Sequence, residues 1–158
     1  MFRNEAKELF SEFVIEHKAN VYRLAYSYVK NEQDALDIVQ DSIVKGLKSL
    51  RSLKDEKLVK SWFYRIVVNT SLDFLRKHKR VKVVDDIEIH APVEETKYHD
   101  IDLERALELL PIQYYEIINL RFFEDLKIEE ISFVLKLPLN TVKTRLYRAL
   151  KILRINME

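Results

Sequence analysis

The sequence predicts an all-α protein made of two small helical modules, and three observations predict it. Glycine occurs once, at Gly46, and proline three times in 158 residues, while Leu, Ile, Lys and Glu are abundant; that balance favours helix throughout. Apolar residues recur at three- to four-residue spacing, the period of one helix face. Residues 81–102 break that spacing and divide the chain in two.

The first module, residues 1–80, reads as helices at 4–18, 20–29, 32–50 and 61–79. The third follows Asn31, which can cap it with Asp34 three residues on. Its core side is expected to be Ala35, Ile38, Val39, Ile43 and Leu47. Asp34, Asp37 and Asp41 form an acidic stripe at i, i+3, i+7. Such a stripe is either an ordinary solvated face, with acids favoured near a helix N-terminus, or a surface that meets a protein partner rather than phosphate.

The fourth helix places Arg65, Asn69, Arg76 and Arg80 within about 60° on one side. Phe63, Val67, Thr70 and Phe74 lie opposite, and Trp62 falls at the edge of the basic arc. Trp62 by itself reads more readily as a core residue. Together, cations that follow a backbone, an amide that reads a base and a ring that stacks suit a single strand of nucleic acid.

The segment 81–102 carries Pro92, seven acidic and two basic residues, and is expected to be a flexible acidic linker. The preceding 80 residues hold 16 basic and 11 acidic side chains, and residues 103–158 hold nine and eight. The formal net charge of +1 therefore conceals two basic faces separated by an acidic strap.

The second module, residues 103–158, reads as helices at 103–110, 112–123, 127–135 and 140–154, divided at Pro111 and Pro138. The last two form a helix-turn-helix. Ile128, Ile131, Val134 and Leu135 give the first of them a core stripe, Leu137 can plug the corner, and Asn140 is a plausible N-cap for the second. In that second helix Val142, Leu146 and Ala149 share one arc. Asn140, Thr144, Tyr147, Arg148 and Lys151 share the opposite arc, flanked by Lys143 and Arg145. From Lys136 to Arg154 there are six basic and no acidic residues. A recognition helix needs this division: an apolar stripe on a scaffold, Arg and small polar groups toward base edges, and cations toward phosphates. An amphipathic hairpin with a solvated basic face is the plain alternative. Lys136 occupies the turn position where glycine is common.

Composition excludes several chemistries. One glycine cannot build a GxGxxG or GxxxxGKS phosphate loop. No cysteine is present, so there are no disulfides or thiolate zinc sites. His17, His78, His90 and His99 form no HExxH and no i, i+4 pair, so neither a metal nor a cofactor is expected. With no nucleophile–base spacing in view, the protein is not expected to be an enzyme. The acidic N-terminus does not suit a signal peptide, and no apolar run approaches a membrane span; a cytoplasmic location is expected.

Two nucleic-acid surfaces on modules joined by a strap bring a known family into view. The chain resembles the group IV, extracytoplasmic-function (ECF) sigma factors of bacterial RNA polymerase over nearly its whole length. YRLAYSYVKNEQDALDIVQDS (Tyr22–Ser42) and SWFYRIVVNTSLDFLRKHKR (Ser61–Arg80) match that family's regions 2.1 to 2.4. LELLPIQYYEIINLRFFEDLKIEEISFVLKLPLNTVKTRLYRALKIL (Leu107–Leu153) matches regions 4.1 and 4.2. The loop Arg51–Ser61 is shorter than in many members and lacks their usual glycine, which is similar to the SigV-like subgroup of Gram-positive bacteria.

The resemblance implies a promoter-specificity subunit. Core polymerase would be met through its β′ clamp helices, at Asp34, Asp37, Val39, Gln40 and Asp41, and through its β flap. The −10 element would be melted and read by Trp62, Arg65, Asn69, Arg76 and Arg80. The −35 element would be read by Thr144, Tyr147 and Arg148, with Asn140, Thr141, Lys143, Arg145 and Lys151 on the same surface. It also implies control by a membrane-anchored anti-sigma factor, the chain itself not being a membrane protein. The alternative reading is a free-standing helix-turn-helix regulator that binds operators unaided, and a helical adaptor with merely solvated basic faces stands beyond it.

Overall fold

A computed structural model describes residues 2–78 and 103–157, with side chains from Asn4. The predicted linker at 81–102, together with Arg80, His90 and His99, lies outside the described residues. Within them every regular element is helical.

Helix α1 runs from Phe2 to Val29 as one element, with a kink at His17 (φ −108°, ψ 16°). The non-helical backbone at His17 divides α1 into two helical segments, as predicted; the His17 ring stacks on Phe13 at 4.2 Å and its Nδ1 lies 3.1 Å from the Phe13 carbonyl. Helix α2 spans Glu32–Lys48, and the Asn31 side chain caps it by accepting from the Asp34 amide at 2.8 Å. Its buried face is Ala35, Ile38, Val39, Ser42 and Gly46. Ile43 is only half-buried and Leu47 is 41% exposed, which corrects the expected stripe. The small Ser42 and Gly46 let α2 lie close to α1, with the Phe10 ring seated on Gly46.

Two 3-10 turns, Leu50–Ser52 and Glu56–Leu58, lead into α3, Val59–Lys77. Ser61, Trp62, Phe63 and Tyr64 are all buried in succession. A helix buried all round is one enclosed by neighbours on several sides, and α3 packs on α1 and α2 and also on the second module.

That module begins with α4, Leu103–Glu108, and α5, Ile112–Ile118, which continues into a π-helical turn at Asn119–Phe123. Helices α6 (Ile128–Leu135) and α7 (Leu139–Met157) form the helix-turn-helix. Helix α7 starts one residue before Asn140, and the Val142 amide donates to Pro138 O at 3.1 Å. Asn140 therefore lies in the first turn rather than at the cap. Ala106, Leu110, Ile118, Ala149 and Leu153 make a small core under α4, α5 and α7.

The main core crosses between modules. Ile117, Leu120, Leu126, Ile131, Val134 and Val142 are continuous with the buried residues of α1, α2 and α3. Helix α6 packs along α3, and α5 along α1. Polar contacts accompany this packing. The buried Tyr28 hydroxyl donates to the Glu116 carboxylate, and Lys60 Nζ donates to Glu124 O at 2.9 Å. The guanidinium groups of Arg23 and Arg65 lie over the rings of Phe123 and Phe133, 5.3 and 4.3 Å from their centres.

Candidate nucleic-acid interface

The exposed face of α7 is set by the corner between α6 and α7. Glu130 Oε1 accepts from the Lys127 amide at 2.8 Å and closes the start of α6. At its end Lys136 adopts the left-handed conformation (φ 58°, ψ 44°), which costs a non-glycine residue about 1 kcal/mol. Ser132 offsets that strain. Its hydroxyl donates to Leu137 O at 2.6 Å, while the Leu137 amide donates to Ser132 O at 3.2 Å. Nothing in the residue pattern had singled out Ser132; a hydroxyl four residues before a strained turn was the available signal.

Across that corner Val142 and Ala149 are buried and Leu146 half-buried, so one stripe of α7 is fixed to the module. Asn140, Lys143, Thr144, Tyr147, Arg148 and Lys151 are exposed together, and Thr141 and Arg145 are half-buried at the margins. Tyr147 is 75% exposed, so its ring and hydroxyl are both accessible on this face. No described acidic side chain pairs with Lys143, Arg145, Arg148 or Lys151. Unneutralised cations beside exposed amide, hydroxyl and guanidinium groups suit a duplex groove.

The α3 residues are arranged less openly. Trp62 is 8% exposed, its Nε1 donates to Ser52 Oγ at 2.8 Å, and its ring meets Phe10 edge to face at 5.4 Å. The exposed aromatic edge predicted for it is absent in this conformation, because the ring fills the space between α1 and the loop after α2. Arg65 and Asn69 are half-buried, and Arg76 is exposed and paired with Asp73. The structure thus keeps Arg65, Asn69 and Arg76 on one helix but sets Arg65 against α6.

On α2, Asp37, Gln40 and Asp41 are exposed, Asp34 is half-buried and Val39 faces the core. Asp41 lies 3.7 Å from Lys45. Leu36, Val44 and Leu47 are exposed beside the acids. This apolar row was missed because Leu47 had been counted into the core; with Gln40 it follows an i, i+4, i+8, i+11 pattern that places it next to the acidic stripe. An acidic stripe beside an apolar one suits a protein surface carrying cations and aliphatic groups.

Two phenols mark the junction of the modules. Burial, and then the neighbouring Glu116 carboxylate, pushes the Tyr28 hydroxyl well above its usual pKa of 10.0. Burial and Glu124 push Tyr64 up in the same way. Both phenols are therefore neutral donors at ordinary pH. Beside them, between α1 and the α4–α5 pair, lies a cleft of about 640 Å³ lined by Arg23, Tyr26, Lys30, Glu104, Glu108, Tyr115 and Phe123, among others.

Comparison with known proteins bears on both modules. Residues 13–81 match the family described as Sigma-70 region 2, and residues 100–153 match Sigma-70, region 4. The chain is 52% identical over 157 residues to "RNA polymerase sigma factor SigV" of Bacillus subtilis (strain 168), covering 98% of this chain and 95% of that one. It is 32% identical over 155 residues to "ECF RNA polymerase sigma factor SigE" of Mycolicibacterium smegmatis, covering 92% and 60%. Among solved structures, the sigma factor RpoE in complex with the anti-sigma factor NepR from Bartonella quintana aligns with a TM-score of 0.69 at 21% identity, covering 94% of this chain and 96% of that one. CnrH in complex with the cytosolic domain of CnrY aligns at 0.64 and 22%, covering 97% and 94%.

Proposed function

The chain belongs to the sigma-70 family of RNA polymerase sigma factors, within its extracytoplasmic-function class, and we propose that it works by dividing three contacts among three helices. Exposed Asp37, Gln40 and Asp41 on α2, with Asp34 beside them, dock on the β′ clamp helices of core polymerase. The α3 residues Arg65, Asn69 and Arg76 hold and read the opened −10 strand. The exposed face of α7 reads the −35 duplex, Thr144, Tyr147 and Arg148 toward bases and Thr141, Lys143 and Arg145 toward phosphates. Residues 1–80 and 103–158 serve as the two functional units, the second also meeting the β flap.

The observation that carries this reading is α7, whose cations lack described acidic partners on an otherwise polar, exposed face. The protein supplies promoter choice, and the polymerase supplies the chemistry. Among the described residues no helix is long and apolar enough to cross a membrane, and we place the protein in the cytoplasm. Its inhibitor is a membrane-anchored anti-sigma factor. The solved complexes of its structural neighbours with NepR and CnrY support an anti-sigma factor as the inhibitor, and the cleft beside α1 offers apolar walls with cations on one side and carboxylates on the other.

Reconstitution with core polymerase on genomic fragments, mapping where transcription starts, tests the reading. Starts that appear only when the protein is added, downstream of a shared pair of elements, are expected. Footprints on the same sites without polymerase would favour the free-standing regulator instead.

A further inference from the structure

Ser132 uses its hydroxyl unlike its counterparts in α1 and α3. There Ser27, Ser61, Thr70 and Ser71 each donate to a carbonyl three or four residues back, the ordinary habit of a helical hydroxyl. Ser132 donates forward instead, to Leu137 O at 2.6 Å, past the end of α6. Its carbonyl accepts from the Lys136 amide and, at 3.2 Å, from the Leu137 amide. One residue thus closes the left-handed turn at Lys136 and satisfies both polar groups of Leu137. We propose that Ser132 is a positioning residue for −35 recognition: its hydroxyl holds the corner that a turn glycine would otherwise form without strain, and so directs the first turns of α7 toward the duplex. The inference rests on the assignment of α7 to the −35 element.

Packing leaves this task to the corner. Val134 on α6 and Val142 on α7 are both 0% exposed, and no residue between them is buried. Leu135 and Leu137 only border the main core. Further along α7, Ala149 and Leu153 are buried and fix the helix near Arg148. A helix pinned there and loosened at the corner moves most at its N-terminal end, where Asn140 and Thr144 stand. Arg148 lies about 6 Å further along the axis than Thr144 and moves less.

The consequence differs between contacts. Hydrogen bonds to base edges are directional and weaken steeply with misalignment, whereas attraction between a cation and phosphates depends little on angle. Loosening the corner therefore blunts base reading by the N-terminal part of α7 and spares the salt-dependent part of binding. The need for the hydroxyl also depends on residue 136. Lys136 sits at φ 58°, where a Cβ is strained and a glycine is not. With that strain removed the turn forms unaided and the hydroxyl becomes dispensable.

The test uses the full chain assembled with core polymerase, binding a duplex library randomised over the −35 element. Ser132→Ala is expected to lower affinity for the preferred sequence about two- to tenfold, the worth of one hydrogen bond. Preference should fall at the base pairs that Thr144→Ala also relaxes, while those that Arg148→Ala relaxes, and the salt slope, stay as in the parent. Ser132→Ala should accordingly be non-additive with Thr144→Ala and additive with Arg148→Ala. A second variant separates positioning from simple loss of folding: in a Lys136→Gly background, Ser132→Ala should change affinity by less than about twofold, the scatter of independent sites. Unchanged affinity in Ser132→Ala would overturn the proposal. So would a loss spread evenly over the library, or one that persists undiminished in the Lys136→Gly background. Failure of the underlying assignment looks different: neither Thr144→Ala nor Arg148→Ala would then alter the preferred −35 sequence.

Discussion

Replacing Gly46 by alanine tests how tightly α2 is set on α1. An alanine Cβ there would lie 2.5 Å from Phe10 Cζ and 3.0 and 3.2 Å from the two ring carbons beside it. Carbon atoms pack best at about 3.5–4.0 Å, so the ring tip must retreat by roughly 1 Å. It has little room to do so. Phe10 is 1% exposed, and Trp62 and Phe63 hold it edge to face at 5.4 and 5.1 Å. Overpacking of this kind costs about 1–3 kcal/mol, and the gain in helix propensity from glycine to alanine returns about 0.8–1.0 kcal/mol. A net loss of roughly 0–2 kcal/mol follows, or a fall in Tm of up to about 8 °C for a chain of this length. Urea unfolding of Gly46→Ala, Phe10→Leu and the pair would measure it. The double variant should be less destabilised than the sum of the singles, because the shorter leucine vacates the space the methyl needs. A Gly46→Ala protein more stable than the parent, or strictly additive losses, would refute the reasoning.

Reversing Asp37 and Asp41 to lysine should lower affinity for core polymerase on the order of tenfold or more and leave −35 duplex binding by α7 unchanged; a pull-down with core enzyme checks it, and unchanged capture rejects the docking face. Arg148→Ala should cost about 1–3 kcal/mol and relax preference at one or two base pairs, whereas Arg145→Ala should weaken all sequences alike and reduce the salt slope. Holoenzyme binding to a randomised −35 library separates the two, and equal losses across it would show the division of roles to be wrong. Lys136→Gly should raise stability by roughly 0.5–1 kcal/mol by removing left-handed strain, read as a higher thermal midpoint; no gain would mean that the hydrogen bonds of Ser132 and Leu137 already absorb it.

What the sequence made legible was local. The all-α class, the Asn31 cap, the scaffold stripe at Ile131 and Val134 and the two-sided face of α7 follow from periods and turn chemistry within a few residues. Other features were settled at long range. The register of α2 was decided by Phe10, 36 residues from Gly46, so the pattern that placed Leu47 inside gave no warning. Helix α3 carries apolar side chains nearly all round, and a face assigned by angle could not tell which neighbour, α1 or α6, would claim Trp62 and Arg65. The packing of the modules on each other depends on contacts across residues 79–102, and no local signal spans that distance.

The burial of Trp62 has a practical side. It is the chain's one tryptophan, and its ring is enclosed by α1 and the Ser52 turn within the first module. Tryptophan emission, excited where tyrosine does not absorb, therefore reports the environment of that module and is nearly blind to α4–α7, whereas far-ultraviolet circular dichroism counts helix from both. Recorded on one sample during unfolding, the two signals should coincide if the modules melt as a unit. If they melt in turn, the signals part company, and the order of melting can be read without a label.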